Sequence, residues 1–121
     1  MSHPKTHDPD DIQRRLQTAL PRWRYEDGQL CRQYRTGGWK GTLMAVNAVG
    51  HLAEAAWHHP DLAVSYDSVT VKLSTHSASG ITDRDFELAR KIEDLLLWRP
   101  AVDSALEGTP DEPQFKYIEY D

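Results

Sequence analysis

Cysteine is almost missing from this sequence, in which Cys31 is the single example among 121 residues. An internal disulfide is therefore impossible, and a zinc site built on cysteines is excluded. Long apolar runs are missing too. No window approaches the roughly 18 apolar residues of a membrane span, and the start of the chain lacks the apolar centre of an export signal. These absences lead us to expect a cytoplasmic protein.

Basic residues are in the minority. The chain has 14 lysines and arginines against 19 aspartates and glutamates, which gives a net charge of -5. That balance offers no electrostatic reason to expect a nucleic acid or an anionic membrane as partner, so we expect a small molecule or another protein. The hydrophobic content of 39% and the charged content of 27% are typical of a soluble globular chain.

The chain length predicts one domain with a segment on either side. Residues 1–8 are polar and are interpreted as a flexible arm, residues 9–98 as the domain, and residues 99–121 as a C-terminal extension. Gly108, Pro110 and Pro113 predict irregular structure in the extension. The weak alternation from Phe115 to Tyr120 predicts a short edge strand there.

Local signals predict three helices. Asp8 followed by Pro9 is typical of a helix start, and apolar residues follow at four-residue spacing until Pro21. Thr82 with Asp85 resembles a capping box at the start of the last helix. The long middle helix is predicted from apolar positions at helical spacing. These positions are Trp39, Leu43, Val46, Gly50, Ala53 and Trp57.

Two hairpins are predicted between these helices. Asp27-Gly28 stands between short alternating runs, which is the strongest local signal of a hairpin. Apolar and polar residues also alternate on both sides of Asp67-Ser68. The order helix, two strands, helix, two strands, helix predicts an α+β fold, with a four-stranded antiparallel sheet and helices packed on one face.

Histidines and carboxylates are concentrated between Glu54 and Asp85. His58 and His59 precede Pro60, which should end the long helix at the histidine pair. Glu54 lies four residues before His58, so on a helix that reaches this far its carboxylate could orient that imidazole. Because histidine reaches both protonation states near neutral pH, the stretch is typical of a proton-transfer site.

The pattern Glu-x3-His-His-Pro, followed by Tyr66, His76 and Asp85, resembles the pterin-4a-carbinolamine dehydratase family. The resemblance runs from about Trp23 to Leu97. It implies an α+β sandwich assembled as a homodimer or a tetramer. It also implies dehydration of 4a-hydroxytetrahydropterin to the quinonoid dihydropterin, without a metal or another cofactor.

The resemblance assigns roles to six residues, and it leaves open which histidine is the acid and which is the base. The roles fall to His58 and His76 as the acid/base pair, His59 and Pro60 as substrate-binding residues, and Glu54 and Asp85 as supporting carboxylates.

The sequence departs from the family pattern in two places. Leu62 stands where an aromatic residue is expected, and part of the aromatic set before the long helix is missing, which predicts a reshaped pterin pocket. The tail from Ala105 to Asp121 is similar to that of a branch associated with α-carboxysomes, whose members are implicated in RuBisCO assembly. This second resemblance implies a non-catalytic alternative, a carboxysome-associated assembly factor or chaperone with RuBisCO subunits as partners.

The same residues also allow simpler interpretations. The two adjacent histidines could be a helix C-cap favoured by the helix dipole. Histidines alone could hold a metal, but the chain has no HExxH motif and no cysteine cluster. The tryptophans at 39, 57 and 98 are expected in the core or at an interface. The default for the arginines at 22, 24, 32 and 35 is a solvated face, and the second interpretation is a docking surface for an acidic partner.

Overall fold

A computed structural model describes residues 5–120, and residues 1–4 and 121 lie outside the description. The elements in chain order are α1 (Pro9–Ala19), β1 (Arg24–Glu26), β2 (Gln29–Arg35), α2 (Trp39–Ala56), β3 (Asp61–Ser65), β4 (Ser68–Leu73) and α3 (Asp83–Leu96). There are two short 3-10 helices: His76–Ala78 follows β4, and Pro113–Phe115 lies in the C-terminal tail. The predicted order of helices and strands is confirmed.

The four strands form one antiparallel sheet in the order β1-β2-β4-β3. Leu30 pairs with Leu73 and Tyr34 with Val69, and these side chains lie in the core with residues of the helices, which include Ile12, Val49 and Ile92. The predicted fold class, an α+β arrangement with helices packed on a four-stranded antiparallel sheet, is therefore confirmed. Among residues 5–120, no helix is both long and apolar enough to cross a membrane.

Helices α1 and α3 each begin directly after a residue whose side chain caps the helix. Asp8 accepts a hydrogen bond from the backbone of Asp11 at 2.9 Å, and Pro9 occupies the first helical turn of α1. Thr82 caps α3 and forms the predicted capping box with Asp85. Both starts are local, which is why the sequence alone could indicate them.

Helix α2 packs on the sheet through small residues. Its buried positions are Gly41, Thr42, Ala45, Val49 and Ala53. Of the two places expected for the tryptophans, the core is excluded, because Trp39, Trp57 and Trp98 are each at least half exposed, and the interface stays a prediction. Apolar residues surround most of α2, so helical spacing alone does not identify the buried side.

Arg32 corrects the expectation of a solvated arginine face. It is only 4% exposed, and its Nε donates to Glu93 Oε1 at 3.1 Å. Tyr34 and Trp23 donate to the same oxygen, at 2.6 and 3.2 Å. Position 32 lies between Leu30 and Tyr34 on the helix-facing side of β2, so strand alternation buries this arginine and α3 supplies its partner.

The tail folds back onto the domain. Ile118 is 2% exposed and belongs to the core, and it forms an isolated β-bridge with Thr36. Gly37 donates to the Tyr117 carbonyl at 3.2 Å, and Glu119 donates to the Arg35 carbonyl at 2.9 Å. The predicted edge strand is thus a single bridge, and the core includes a residue from beyond position 98.

The segment before α1 is attached at His7. Its backbone donates to the Ile81 carbonyl at 2.9 Å, and its two ring nitrogens lie 2.9 and 2.8 Å from carboxylate oxygens of Asp11 and Asp83. Hydrogen bonds from Arg15 and then from His7 hold the pKa of Asp83 below its ordinary value. The flexible arm therefore does not extend to His7, and for residues 1–4 it stays a prediction outside the described part.

Candidate active site

The histidine pair follows a change of backbone direction at the end of α2. The helix ends at Ala56, and Trp57 adopts a left-handed conformation with φ 54° and ψ 47°. The backbone N–H of Trp57 donates to the carbonyls of Ala53 and Glu54, and that of His58 also donates to Ala53, at 3.1 Å. This closure ends the helix two residues before the pair and sends the two imidazoles to different partners.

His58 turns inward to Asp85. Its Nε2 lies 2.6 Å from Asp85 Oδ1, and its side chain is 12% exposed. The other carboxylate oxygen, Oδ2, accepts from the Thr75 hydroxyl at 2.8 Å and from the Thr82 backbone N–H at 2.9 Å. A carboxylate with these donors is an acceptor, so the Nε2 of His58 carries the proton of the short bond.

Asp85 is fully buried. A buried carboxylate is tolerated when donors and favourable dipoles surround it, and Asp85 lies in the first turn of α3, near the positive end of the helix dipole. The Thr75 and Thr82 hydroxyls lie 2.7 Å apart and extend the hydrogen-bonded chain. A carboxylate in the first turn of α3 is thus the group that orients His58.

His59 turns outward to Glu54. Its Nε2 lies 2.7 Å from Glu54 Oε1, and both side chains are exposed. The ring of Trp57 meets the His59 ring edge to face, with centroids 5.0 Å apart. The expectation that Glu54 orients His58 is wrong, because the left-handed residue rotates His58 away from the face of α2 that carries Glu54.

His76 lies at the start of the 3-10 helix after β4, where its side chain is exposed and has no hydrogen-bond partner among residues 5–120. Its neighbour Thr75 is buried and bonds to Asp85. The loop that carries His76 is closed by hydrogen bonds between Thr75 and Gly80. Pro60 is half-buried and directly precedes β3.

This arrangement suits proton transfer. When Nε2 of His58 donates to Asp85, Nδ1 is left either as a base or, once protonated, as an acid, while the carboxylate fixes the ring. His59 and His76 provide exposed imidazoles on either side of the second hairpin, His59 before β3 and His76 after β4. Within the described residues, no three histidine, cysteine, aspartate or glutamate side chains cluster in a way that could hold a metal ion.

Sequence reasoning missed two parts of the site. Thr75 and Thr82 hold Asp85 in place, and the capping box was an available signal for Thr82 but not for Thr75. It also missed the cavity that adjoins His58, which is formed by residues of three helices that are distant in the sequence. Such a cavity has no local signature.

Comparisons of the sequence with known proteins give a consistent result. The sequence profile of the family described as Pterin 4 alpha carbinolamine dehydratase matches residues 5–95. A protein of Aquifex aeolicus that bears the provisional name pterin-4-alpha-carbinolamine dehydratase is 45% identical over 87 residues, which is 72% of this chain and 87% of that protein. A protein of Streptomyces coelicolor with the same provisional name is 41% identical over 88 residues, or 72% and 86% of the two chains.

A solved structure supports the fold. The crystal structure described as a transcriptional coactivator/pterin dehydratase from Brucella melitensis is similar with a TM-score of 0.69. The likeness covers 76% of this chain and 99% of that one at 24% identity, so it concerns the fold alone.

Proposed function

Because the chain belongs to the pterin 4 alpha carbinolamine dehydratase family, we propose that it dehydrates a 4a-hydroxytetrahydropterin to the quinonoid dihydropterin by histidine acid/base catalysis. The observation that carries this proposal is the 2.6 Å bond between His58 and the buried carboxylate of Asp85. A histidine fixed in this way is typical of a proton-transfer group that must keep one orientation through a reaction.

The proposed reaction consists of two proton transfers and one bond cleavage. A base removes the proton on N5 of the pterin, the N5 electron pair forms the double bond to C4a, and the C4a hydroxyl leaves with a proton from an acid, as water. Nothing is oxidised or reduced, so the proposed reaction needs no redox cofactor. Proton transfer by positioned side chains contributes about 100- to 10,000-fold to such rates.

We assign the base to His58 and the acid to His76. The carboxylate of Asp85 stabilises the imidazolium that forms when His58 takes a proton, whereas the exposed His76 can exchange its proton with water. His59, held by Glu54, binds and orients the pterin, and Pro60 fixes the backbone behind the pair.

The test is a stopped-flow assay on synthetic 4a-hydroxytetrahydropterin. His58→Ala and His76→Ala should each lower turnover by about 100-fold or more. His59→Ala should raise KM more than it lowers kcat. His51→Ala is the matched control, because His51 is exposed on α2 and has no hydrogen-bond partner among residues 5–120. A wild-type protein no faster than buffer would remove the proposal.

We further propose that the protein acts in the cytoplasm as a homodimer or a tetramer. Exposed apolar side chains support the assembly: Trp39, Leu43 and Met44 on α2, and Val64 with Tyr66 at the β3 edge of the sheet. Light scattering at micromolar concentration is the measurement. A monomer would contradict the proposal.

A second candidate function is assembly of RuBisCO in the α-carboxysome. The observation that favours it is the tail, which lies beyond the family match at residue 95 and exposes Val102, Leu106 and Phe115. Exposed apolar side chains in an ordered segment are typical of a protein-binding surface. In this function the chain would be a non-catalytic chaperone, with the dehydratase fold kept as a scaffold.

This candidate needs a test that leaves the tail folded. Deleting the tail would also remove buried Ile118, so loss of binding would not separate a partner surface from a damaged core. Leu106→Ser combined with Phe115→Ser changes exposed side chains only. Reduced capture of RuBisCO subunits by this variant at unchanged Tm supports the assembly function, and failure of the wild type to bind any RuBisCO subunit removes it.

A further inference from the structure

A large cavity adjoins His58, where the C-terminal ends of α1 and α2 meet the first half of α3. Its volume is about 930 Å³. Small-molecule sites span about 300–1,000 Å³, so this cavity is large enough for a ligand that extends beyond the reacting ring. Leu20, Phe86 and Leu88 provide an apolar lining, and Trp57, which is 76% exposed, lies at the wall next to His58.

The charge of this cavity is opposite to that of the whole chain. Four cationic side chains line it, and Glu87 is the carboxylate that lines it among the described residues. The chain as a whole has a net charge of -5. The cationic residues are Arg15, Arg84, Arg90 and Lys91. A cluster of one sign in a concave surface concentrates ligands of the opposite sign.

Two of these cations have structural partners. Arg15 donates to Asp83 at 2.8 Å and lies over the ring of Phe86, and Arg90 donates to the Ala19 carbonyl at the end of α1 at 2.7 Å. The side chains of Arg84 and Lys91 make no hydrogen bond or ion pair with residues 5–120. They are seven positions apart on α3, so they lie on one face of the helix, two turns apart.

We propose that this cavity holds the side chain of the pterin substrate and that this side chain ends in an anionic group, a carboxylate or a phosphate. The proposal rests on the proposed function, because it is the pterin ring at His58 that directs the side chain into the cavity. The chain of the ligand crosses the apolar lining, and Arg84 and Lys91 bind the anion beyond it. The site then binds acidic pterins more tightly than neutral ones.

The experiment measures binding separately from turnover. Quenching of tryptophan fluorescence gives Kd for 6-methylpterin, for pterin-6-carboxylic acid and for the phosphate ester of 6-hydroxymethylpterin. Each ligand is titrated against the wild type, Lys91→Gln and the double variant Arg84→Gln/Lys91→Gln. Lys40→Gln is the matched control, since it makes the same charge change at an exposed site on α2, outside the cavity.

We expect the Kd of the wild type for at least one anionic pterin to be lower than its Kd for the neutral pterin by a factor of about five or more. An ion pair of about 1 kcal/mol corresponds to this factor. Lys91→Gln should remove most of this preference, the double variant should remove the rest, and Lys40→Gln should keep it. The anion that binds more tightly identifies the carboxylate or the phosphate as the natural group. Equal affinities in the wild type, or equal losses in Lys91→Gln and Lys40→Gln, would overturn the inference.

Turnover assays on the corresponding 4a-hydroxy compounds separate this inference from the proposed function. If neutral and anionic substrates react with the same KM, the cavity inference fails and the dehydratase function stands. If the anionic pterin binds selectively and no substrate reacts, the dehydratase function fails and the anion site stands.

Discussion

Replacing Asp85 by asparagine tests the candidate active site most directly. The carboxylate of Asp85 is fully buried, and it accepts from His58, from the Thr75 hydroxyl and from the Thr82 backbone. Asparagine keeps the size of the side chain and one accepting oxygen, which can still serve the Thr82 cap. Because Thr75 and Thr82 both bond to Oδ2, an asparagine oxygen that keeps the Thr82 cap places the amide NH2 at the Oδ1 position, where it faces His58.

If the amide NH2 faces His58, the ring must accept at Nε2 and carry its proton at Nδ1. Nδ1, the nitrogen that does not bond to Asp85, is then no longer a base in the neutral ring. We expect kcat to fall by about 100- to 10,000-fold, the range measured when a general base is lost or held in the wrong tautomer. The smaller figure corresponds to about 2.7 kcal/mol of transition-state stabilisation. The loss of one charged acceptor should lower the free energy of unfolding by about 1–3 kcal/mol.

The control is Thr82→Ala, which breaks the same capping box and leaves the bond between Asp85 and His58 in place. It should lower stability by about 1 kcal/mol, as loss of an N-cap does, and keep most of the activity. Stopped-flow rates across pH and chemical denaturation of both variants give the comparison. A purely structural role for Asp85 would leave the pH profile unchanged. Wild-type kcat in Asp85→Asn, or an equal loss of activity in Thr82→Ala, would refute the reasoning.

Three further predictions concern the tail and α2. Ile118→Ala should lower the free energy of unfolding by about 2–5 kcal/mol in chemical denaturation, because Ile118 is buried in the core; a change below about 0.5 kcal/mol would mean that the tail is not docked. Gly41→Ala should detach the tail and expose it to limited proteolysis, because a Cβ at Gly41 would collide with the Tyr117 carbonyl. The control is Gly50→Ala, whose Cβ meets open space and which should stabilise α2 by about 0.5–1 kcal/mol. Burial and then a hydrogen bond to Tyr117 raise the pKa of Tyr120 from 10.0 to about 12. The neutral form of Tyr120 therefore stabilises the fold fully below pH 10, and this contribution should be lost as pH rises through 12. Tm measured against pH for the wild type and Tyr120→Phe checks the sign.

The parts of the fold that could be predicted from the sequence are those with local causes. Three such signals each involve only a few neighbouring residues, and each predicted an element that the structure contains. They are Asp8 with Pro9, the Asp27-Gly28 turn and the Thr82 capping box. The α+β class and the single four-stranded antiparallel sheet then followed from the order of these elements, whereas the order of the strands within the sheet was not predicted.

The parts that could not be predicted depend on contacts between distant residues. Arg32 is buried because Glu93, 61 residues away, accepts its hydrogen bond, and neither residue alone indicates this. Glu54 binds His59 instead of His58 because one left-handed residue, Trp57, reverses the backbone after α2. Sequence spacing on an assumed helix cannot include such a reversal, since a bulky residue is rarely found with positive φ.

Sequence could give the identities of the candidate site residues but not their pairing. His58 and Asp85 were both named from the resemblance, and the structure brings them within 2.6 Å. The basic cavity beside them was not predicted, because its residues lie on α1, α2 and α3 and their charges are balanced in the composition as a whole.

The Glu93 carboxylate has a consequence for how the molecule opens. One oxygen of this side chain accepts hydrogen bonds from Trp23, which precedes β1, and from Arg32 and Tyr34 on β2. Glu93 itself belongs to α3. Separating α3 from β2 would break three hydrogen bonds to one carboxylate oxygen at once, so these elements are expected to unfold as one cooperative unit. Native-state hydrogen exchange should give the amides of β2 and α3 the same opening free energy. The exposed residues 101–111 should exchange without that opening.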